Sequence, residues 1–254
     1  MNRTGVHVEE ADHFCRMLLD SPELFRWEGL CTHFAGAESI ANYLRVKRQF
    51  LLFKKMLKHI RLGFDQQPRT IHTACSAAAI RYPATHFDLV RIGILQYGFF
   101  PTREVQVEYM SRQEDSHTDP LRRLITWKSK VMDVRSVQTG EFIGYGTSYL
   151  ANAPMRVASI PVGYAHGFSR SLSNQGRVLI GGRQAKVIGM VNMNLIQADI
   201  TDIPEVQPGD EVVLIGRQGE QEITVSSFAE YSDQVNYELL TRLPLNIPRK
   251  IINQ

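Results

Sequence analysis

A tyrosine at the end of an apolar run is the first residue of this sequence that could do chemistry. In the stretch IPVGYAHGFSR, Tyr164 stands between Gly163 and Gly167, with Arg170 close behind. A free phenol loses its proton only near pH ~10, so a tyrosine that acts as a base needs its anion stabilised. Alternatively, the glycines form turns and the tyrosine is an amphipathic plug beside them. The stretch alone leaves both interpretations open.

Two further candidates, His33 and Arg91, stand at the carboxyl ends of segments that we predict to be parallel strands, GLCTHFAGA and FDLVRIGIL. In barrels of alternating strands and helices, active sites form at this end. Taken singly, a histidine at a strand end is more often a satisfied structural residue, and an arginine more often a surface cation. Their roles therefore depend on the elements that position them.

The first part of the chain alternates helix and strand. Apolar residues recur at helical spacing in the first twenty residues, and again from Glu38 to Gly63, where they predict a long amphipathic helix. RTIHTA predicts a further strand and CSAAAIRY a short helix, which completes a βαβαβ pattern with parallel strands. A closed barrel takes eight strands and ~250 residues, so we expect a partial barrel that resembles the second half of a complete one.

From about Leu124 the pattern changes to short strands separated by Gly, Pro and Asn turns. The strand-like segments are ITWKSKVMDVRSV, EFIGYGTSYLA, RVASIPVG, RVLIGGRQAKVIG, VNMNLIQADIT and DEVVLIG. A Gly-Gly pair predicts a hairpin before RQAKVIG, and one helix is predicted near 226–233. With the polar stretch SRQEDSHTDP as linker, we expect an α/β partial barrel over residues 1–115 and a mostly β domain over 116–254.

The composition is that of an ordinary globular protein, with 254 residues, 43% of them hydrophobic, and a net charge of +3. The basic stretch RVKRQFLLFKKMLKHIR keeps helical apolar spacing, which predicts a solvated helix face rather than a nucleic-acid groove. The cysteines are far apart, which favours reduced thiols over structural zinc. No apolar run reaches the ~18 residues of a membrane span. We expect a cytoplasmic protein with no metal, nucleic-acid or membrane partner.

Several segments resemble alanine racemases. PVGYAHGFSRSLSNQG, NMN and DITD…PGDEVVLIG resemble the C-terminal domain of these enzymes, which use pyridoxal 5′-phosphate (PLP) and consist of a TIM barrel followed by a β domain. Upstream, GLCTHFAGA, HTACSAAAIRYPATHFDLVRIGILQYG and WKSKVMDV…GEFIGYG follow in the family's order, and MNRTGV resembles its TGMxRxG motif. The resemblance implies an isomerase that interconverts L- and D-alanine and supplies D-alanine for the cell wall.

The resemblance also assigns roles to the three candidates. Tyr164 matches the catalytic tyrosine, one of two bases that act on opposite faces of the substrate Cα. His33 and Arg91 match residues that lie behind this tyrosine in hydrogen-bonding sequence. Arg91 further matches the donor to the PLP pyridine nitrogen. Because a guanidinium stays protonated, it keeps that nitrogen unprotonated, which favours racemisation over transamination.

Other positions match cofactor and substrate contacts of the family. The implied sets are Arg3, Ser76, Arg91, Gly93, Ile94 and Tyr237 for PLP, and Met193 and Asn194 for the substrate. Ser76, Gly93 and Ile94 would hold the phosphate. Ordinary structural roles are the alternatives, such as a helix cap for Ser76 and a buried strand residue for Met193.

The sequence departs from the common family pattern at several positions, which are Cys75, Ile92, His166, Asn192 and Asn194. His166 stands where the motif GYADG has aspartate, and NMN stands where CMD is common. The second change removes a charge beside the substrate. The implied substrate is therefore either alanine or a broader set of amino acids.

The largest departure is the lysine that attaches PLP and acts as the second base. None of the eight lysines stands in a KANAYGHG-like motif. We therefore expect a truncated chain, the C-terminal two-thirds of a racemase, that is inactive alone. In the family, the tyrosine reaches into the partner's site in a head-to-tail dimer. The expected partners are a second copy in a homodimer or, alternatively, an intact racemase on which this chain docks as a non-catalytic or complementing subunit.

Overall fold

The computed structural model describes residues 1, 3–113, 118–231 and 236–252, without the side chains of 229–231, 236 and 237. The chain divides into two compact units, Met1–Leu124 and Ile125–Gln254. The boundary between the units follows the polar stretch that we predicted as a linker, of which residues 114–117 lie outside the described residues. Each unit is described by itself below.

Unit 1 is an α/β unit in which helices flank two parallel strands. Its elements are α1 (Ala11–Leu19), β1 (Gly29–Cys31), α2 (Tyr43–Gly63), β2 (Thr70–His72), α3 (Ser76–Arg81) and α4 (Arg103–Ser111), with short 3-10 turns at Val8–Glu10, Ile40–Asn42, Pro83–Thr85 and Ile94–Tyr97. β1 and β2 pair in parallel register, Leu30 opposite Ile71, so α2 is the crossover between them. The parallel strands and their crossover helix confirm the predicted α/β pattern, whereas α4 was not predicted.

Helix α2 follows directly from its apolar spacing. Val46, Phe53, Leu57 and Ile60 follow one another at steps of seven, four and three residues, which places them on one helical face, and all four are buried. Phe53 and Leu57 pack against the strand residue Ile71. The apolar face therefore covers the strand pair, and the basic residues of the helix are left in solvent as predicted.

The predicted third strand, FDLVRIGIL, was wrong. It forms only an isolated parallel bridge between Arg91 and Cys75 before the turn at Ile94–Tyr97. The physical reason is that a side chain takes the place of a backbone acceptor between β2 and this segment. The Ile71 N–H donates to Asp88 Oδ2 at 2.7 Å instead of to a backbone carbonyl. The Arg91 N–H still donates to the Ala74 carbonyl at 2.9 Å. The segment therefore runs beside β2 and carries Arg91 to the strand ends.

The loop that follows His33 is held by a buried ion pair. Arg81, with 5% of its side chain exposed, contacts Glu108 of α4 at 2.6 Å. Its Nη1 also donates to the Ala37 carbonyl at 2.9 Å. The pair therefore anchors this loop to α3 and α4.

Unit 2 is built on an antiparallel sheet. Its elements are β3 (Trp127–Lys130), β4 (Asp133–Val137), β5 (Met155–Ile160), β6 (Arg177–Ile180), β7 (Arg183–Ile188), β8 (Ile196–Asp199), β9 (Glu211–Gln218), β10 (Gln221–Ile223), α5 (Val225–Tyr231) and α6 (Asn236–Arg242). The strand order is β10-β9-β6-β7-β8-β5-β4, and β3 pairs with β9. The predicted Gly-Gly hairpin is confirmed: Gly181 and Gly182, with φ of 59° and 75°, connect β6 to β7.

Two strand predictions in unit 2 were wrong. EFIGYGTSYLA forms a loop with one isolated bridge, Phe142 to Leu150, since Gly144 and Gly146 have φ of 79° and 68° and break the extended backbone. The first part of VNMNLIQADIT forms a turn, in which the Asn192 N–H donates to the Leu195 carbonyl at 2.9 Å. Helix α6 was not predicted. No helix of the described part of the chain combines the length and apolar character needed to cross a bilayer.

Candidate functional site

Arg91 is at the centre of the polar cluster of unit 1. Its Nη1 donates to the Nδ1 atom of His72 at 2.5 Å and to the carbonyl of the same residue at 3.2 Å. Its Nη2 donates to the carbonyls of Thr32 at 2.8 Å and Thr73 at 3.1 Å, and lies 3.4 Å from Nδ1 of His33. The guanidinium thus joins the carboxyl ends of β1 and β2. Its Nε–H has no partner among the residues described.

Burial and the neighbouring guanidinium both lower the pKa of the two histidines. Burial lowers the pKa of His33, and Arg91 and then Arg3 lower it further, while Glu38 acts in the opposite direction. Burial, and then Arg91, lower the pKa of His72. A neutral imidazole can accept a hydrogen bond from a guanidinium, whereas a protonated one cannot. The pKa shifts therefore favour the protonation state that the hydrogen bonds require.

These shifts predict how stability depends on pH. Because the pKa of His33 and His72 is lowered from 6.5 in the folded chain, the unfolded chain binds more protons below that pH. The free energy of unfolding should therefore fall as the solution is acidified through about pH 6.5 and below. Urea denaturation over a pH series measures this slope. His72→Gln, which keeps an acceptor that does not titrate, should flatten it, and an unchanged slope would contradict the assignment.

A second group of donors lies next to Arg91. The Gly93 N–H donates to the Ser76 hydroxyl oxygen at 2.9 Å. Ser76 and Ile94 are buried, with 3% and 1% of their surfaces exposed. In the described chain, neither the Ser76 hydroxyl proton nor the Ile94 N–H has an acceptor. Buried donors are rarely left unpaired in folded proteins, so the pair suits an anionic ligand such as a phosphate.

The remaining two predicted cofactor residues have different outcomes. Arg3 is exposed, and it lies close enough to His33 to lower the pKa of that imidazole. Tyr237 belongs to α6, and its side chain lies outside the described residues.

In unit 2, Tyr164 begins a 3-10 turn, Tyr164–His166, that is bonded to the loop after β7. The Tyr164 N–H donates to the Asn192 carbonyl, and the Ala165 N–H to the Met193 carbonyl, both at 3.0 Å. Gly163 permits this approach: a Cβ at that position would lie 2.1 Å from the Asn192 oxygen and 2.5 Å from the Met193 oxygen. The glycine before the tyrosine is therefore required by close backbone contact.

Three predicted site residues meet on this surface of unit 2. Tyr164 is 41% exposed and Met193 54% exposed, and Asn194 beside it is exposed as well. The alternative of a buried strand methionine does not fit the exposure of Met193. The turn at Asn192–Leu195 thus places Met193 and Asn194 next to the phenol-bearing turn.

His72 is the site residue that our sequence analysis missed, because we assigned it only to a strand. The available signal was positional. In the parallel register His72 lies opposite Cys31, so it ends β2 at the same edge at which β1 leads into Thr32 and His33. Strand ends that share an edge bring their polar residues together.

Comparison with known proteins shows the family of this chain. Residues 1–101 match the family described as alanine racemase, N-terminal domain, and residues 124–251 match alanine racemase, C-terminal domain. The alanine racemase of Halothermothrix orenii is 38% identical over 255 residues, which is 100% of this chain and 64% of the relative. That of Syntrophobacter fumaroxidans is 37% identical over 246 residues, 97% of this chain and 62% of the relative.

Solved structures agree with these matches. Alanine racemase from Streptomyces coelicolor A3(2) superposes with a TM-score of 0.89 at 28% identity, covering 100% of this chain and 64% of that one. Alanine racemase from Bartonella henselae, solved with covalently bound pyridoxal phosphate, gives 0.76 at 26% identity, covering 96% and 61%. The fold is that of a partial TIM-type barrel followed by a β domain. The chain belongs to the alanine racemase family, and it spans about 64% of the length of its Halothermothrix relative.

Proposed function

We propose that this chain forms part of a cytoplasmic, PLP-dependent racemase that interconverts L- and D-alanine. The observation that carries the proposal is the bonding of Arg91. Both of its Nη atoms are held by the backbone and by two histidines, so the Nε–H is fixed in place and unpaired within the described chain. A fixed cationic donor suits an unprotonated ring nitrogen, because it binds the lone pair without giving up its proton.

The residues present fit PLP at its two polar ends. Arg91 would hold the ring nitrogen, while the Ser76 hydroxyl and the N–H groups of Gly93 and Ile94 would hold the phosphate. The first of these backbone groups now donates to Ser76, and the second is unpaired in a buried residue. Arg3, near His33, would approach the ring oxygen. When bound, PLP withdraws electrons from the amino-acid Cα, which makes the Cα proton removable.

Tyr164 would take or return that proton through its phenol oxygen. Two backbone hydrogen bonds, to Asn192 and Met193, fix its turn, so the backbone that carries the phenol is held in place. The Met193 and Asn194 turn beside it would face the substrate carboxylate. No carboxylate stands in this turn. This supports a substrate set for the site that includes amino acids other than alanine.

Since Tyr164 is exposed on unit 2, we propose that it serves the site of another subunit. That subunit is either a second copy of this chain or a complementing racemase subunit, and only the complementing subunit would also supply the PLP-attaching lysine that we did not find in this sequence. His33 and Arg91 would then stabilise a phenol contributed in the same way.

Racemisation by the chain alone and by a mixture tests this proposal. The second component is a full-length alanine racemase whose own catalytic tyrosine has been replaced by phenylalanine. Both preparations are incubated with PLP and L-alanine, and D-alanine is measured by chiral chromatography. We expect D-alanine in at least the mixture, and its loss with Tyr164→Phe.

Tyr145→Phe is the matched control, since Tyr145 is 79% exposed in the same unit and should be dispensable. Absorbance titration with PLP provides a readout independent of turnover: Ser76→Ala and Arg91→Leu should each weaken binding of the cofactor. D-alanine absent from every preparation, or unaffected by Tyr164→Phe, would refute the assignment of Tyr164.

A further inference from the structure

His166 makes a contact that the proposed chemistry does not use. Its imidazole folds back over the turn, and its Nδ1 atom accepts a hydrogen bond from the Gly163 N–H at 3.2 Å. Gly163 is buried, and His166 is half-buried. A buried N–H without an acceptor is costly, so this side chain satisfies a backbone group that immediately precedes Tyr164.

The other hydrogen bonds of the turn join backbone to backbone. The His166 and Phe168 N–H groups donate to the Gly163 carbonyl at 2.9 Å and 3.2 Å, and the Gly167 N–H donates to the Tyr164 carbonyl at 3.2 Å. None of these changes with pH in the neutral range, because peptide groups do not titrate there. The bond from Gly163 to His166 differs, since Nδ1 can accept only while it carries no proton.

We propose that His166 is a positioning residue for Tyr164, and that its unprotonated Nδ1 holds the Gly163–Tyr164 peptide in place. Protonation of the imidazole replaces the acceptor with a second N–H that faces the Gly163 donor. The Gly163 N–H then loses its hydrogen bond, while the bonds from Tyr164 to Asn192 and from Ala165 to Met193 remain. The catalytic importance of this effect rests on the proposed function of Tyr164, whereas the hydrogen bond itself does not.

Among the described side chains, few titratable groups lie on the elements around this turn. The loop segment Asn192–Met193 carries none. Arg170 follows in the next turn and is exposed. The end of α6 packs on Gly167 through the carbonyl of Arg242, whose side chain is paired with Glu238 at 2.6 Å. Together with Tyr164, these are the described groups whose charge could affect the protonation of His166.

Amide hydrogen exchange of Gly163 tests the proposal on the chain itself, without cofactor or substrate. Val162–Gly163 is the only Val-Gly pair in the sequence, so labelling valine carbonyls with ¹³C and glycine nitrogens with ¹⁵N gives a single resonance for this amide. Its exchange is compared at each pH with that of His166→Asn, whose side-chain oxygen accepts without titrating. The comparison at equal pH removes the intrinsic pH dependence of exchange.

We expect equal protection of Gly163 in both proteins at alkaline pH, and exchange at least about tenfold faster in the wild type once His166 is protonated. His166→Ala should lack the protection at every pH. The ring resonance of Tyr164, assigned by its loss in Tyr164→Phe, should shift with the same titration and stay fixed in His166→Asn. Equal exchange in the wild type and His166→Asn throughout would overturn the proposal, even if His166→Ala failed to fold.

Discussion

Replacing Arg91 with leucine should lower the free energy of unfolding by about 4 kcal/mol, one of the two largest effects that we expect for a single substitution in this chain. The guanidinium supplies donors to the carbonyls of Thr32, His72 and Thr73 at the ends of β1 and β2. Its removal leaves these partly buried oxygens without their partner and separates the segment around residue 91 from both strands. Urea denaturation at neutral pH measures the loss.

The same substitution should raise the pKa of His33 and His72, because the nearby cation lowers both. NMR titration of the imidazole resonances checks this direction. Arg91→Lys keeps the charge without the planar fork, so it should retain much of the lowered pKa and little of the stability. Arg135→Leu is the control, since Arg135 is 79% exposed in its ion pair and should cost below ~1 kcal/mol. Equal losses for Arg91→Leu and Arg135→Leu would contradict the central place given to Arg91.

Replacing Gly163 with alanine should cost about 3 kcal/mol and displace the turn that carries Tyr164. The added Cβ would lie 2.1 Å from the Asn192 oxygen, and that oxygen belongs to the backbone, which cannot rotate away as a side chain can. The turn must therefore separate from Asn192–Met193, and the Ala165 amide should lose its protection from exchange. Denaturation and amide exchange measure the two effects.

Gly63→Ala is the matched control for this change, because a Cβ at the end of α2 would meet no atom within 4 Å. It should be neutral or slightly stabilising, since alanine restricts the unfolded chain more than glycine does. A Gly163→Ala variant as stable as Gly63→Ala, with Ala165 still protected, would show that the contact with Asn192 is looser than the structure places it.

Local patterns in the sequence predicted those elements whose cause is local. The periodicity from Glu38 to Gly63 predicted α2, because the burial of its apolar face depends on residues three and four positions apart. The Gly-Gly pair predicted the hairpin between β6 and β7, because positive φ at both positions favours glycine. The segments that resemble alanine racemases likewise predicted the family, which the matches over both domains confirmed.

The predictions that failed depend on distant partners or on backbone conformations that the residue pattern does not show. FDLVRIGIL has the composition of a strand, but Asp88 takes the place of a backbone acceptor for Ile71, which periodicity cannot reveal. EFIGYGTSYLA alternates like a strand, yet its glycines adopt positive φ within a packed loop. His72 resembled any strand histidine until the parallel register placed it beside Arg91. For FDLVRIGIL and His72, the deciding contact joins residues that are far apart in the chain. For EFIGYGTSYLA, the deciding feature is a backbone conformation that the alternation of residue types does not reveal.

By itself, the sequence determined the first two strands of unit 1 with their crossover helix, the change to a β domain, the family, and most of the residues that we consider for chemistry. Only the tertiary structure decided which of them meet. It placed Arg91 between His33 and His72, and it showed that Gly163 is a glycine because the Asn192–Met193 backbone passes too close for a Cβ. The physical reason is that residue type and spacing encode local conformation, whereas donor geometry and close approach arise only when distant segments pack.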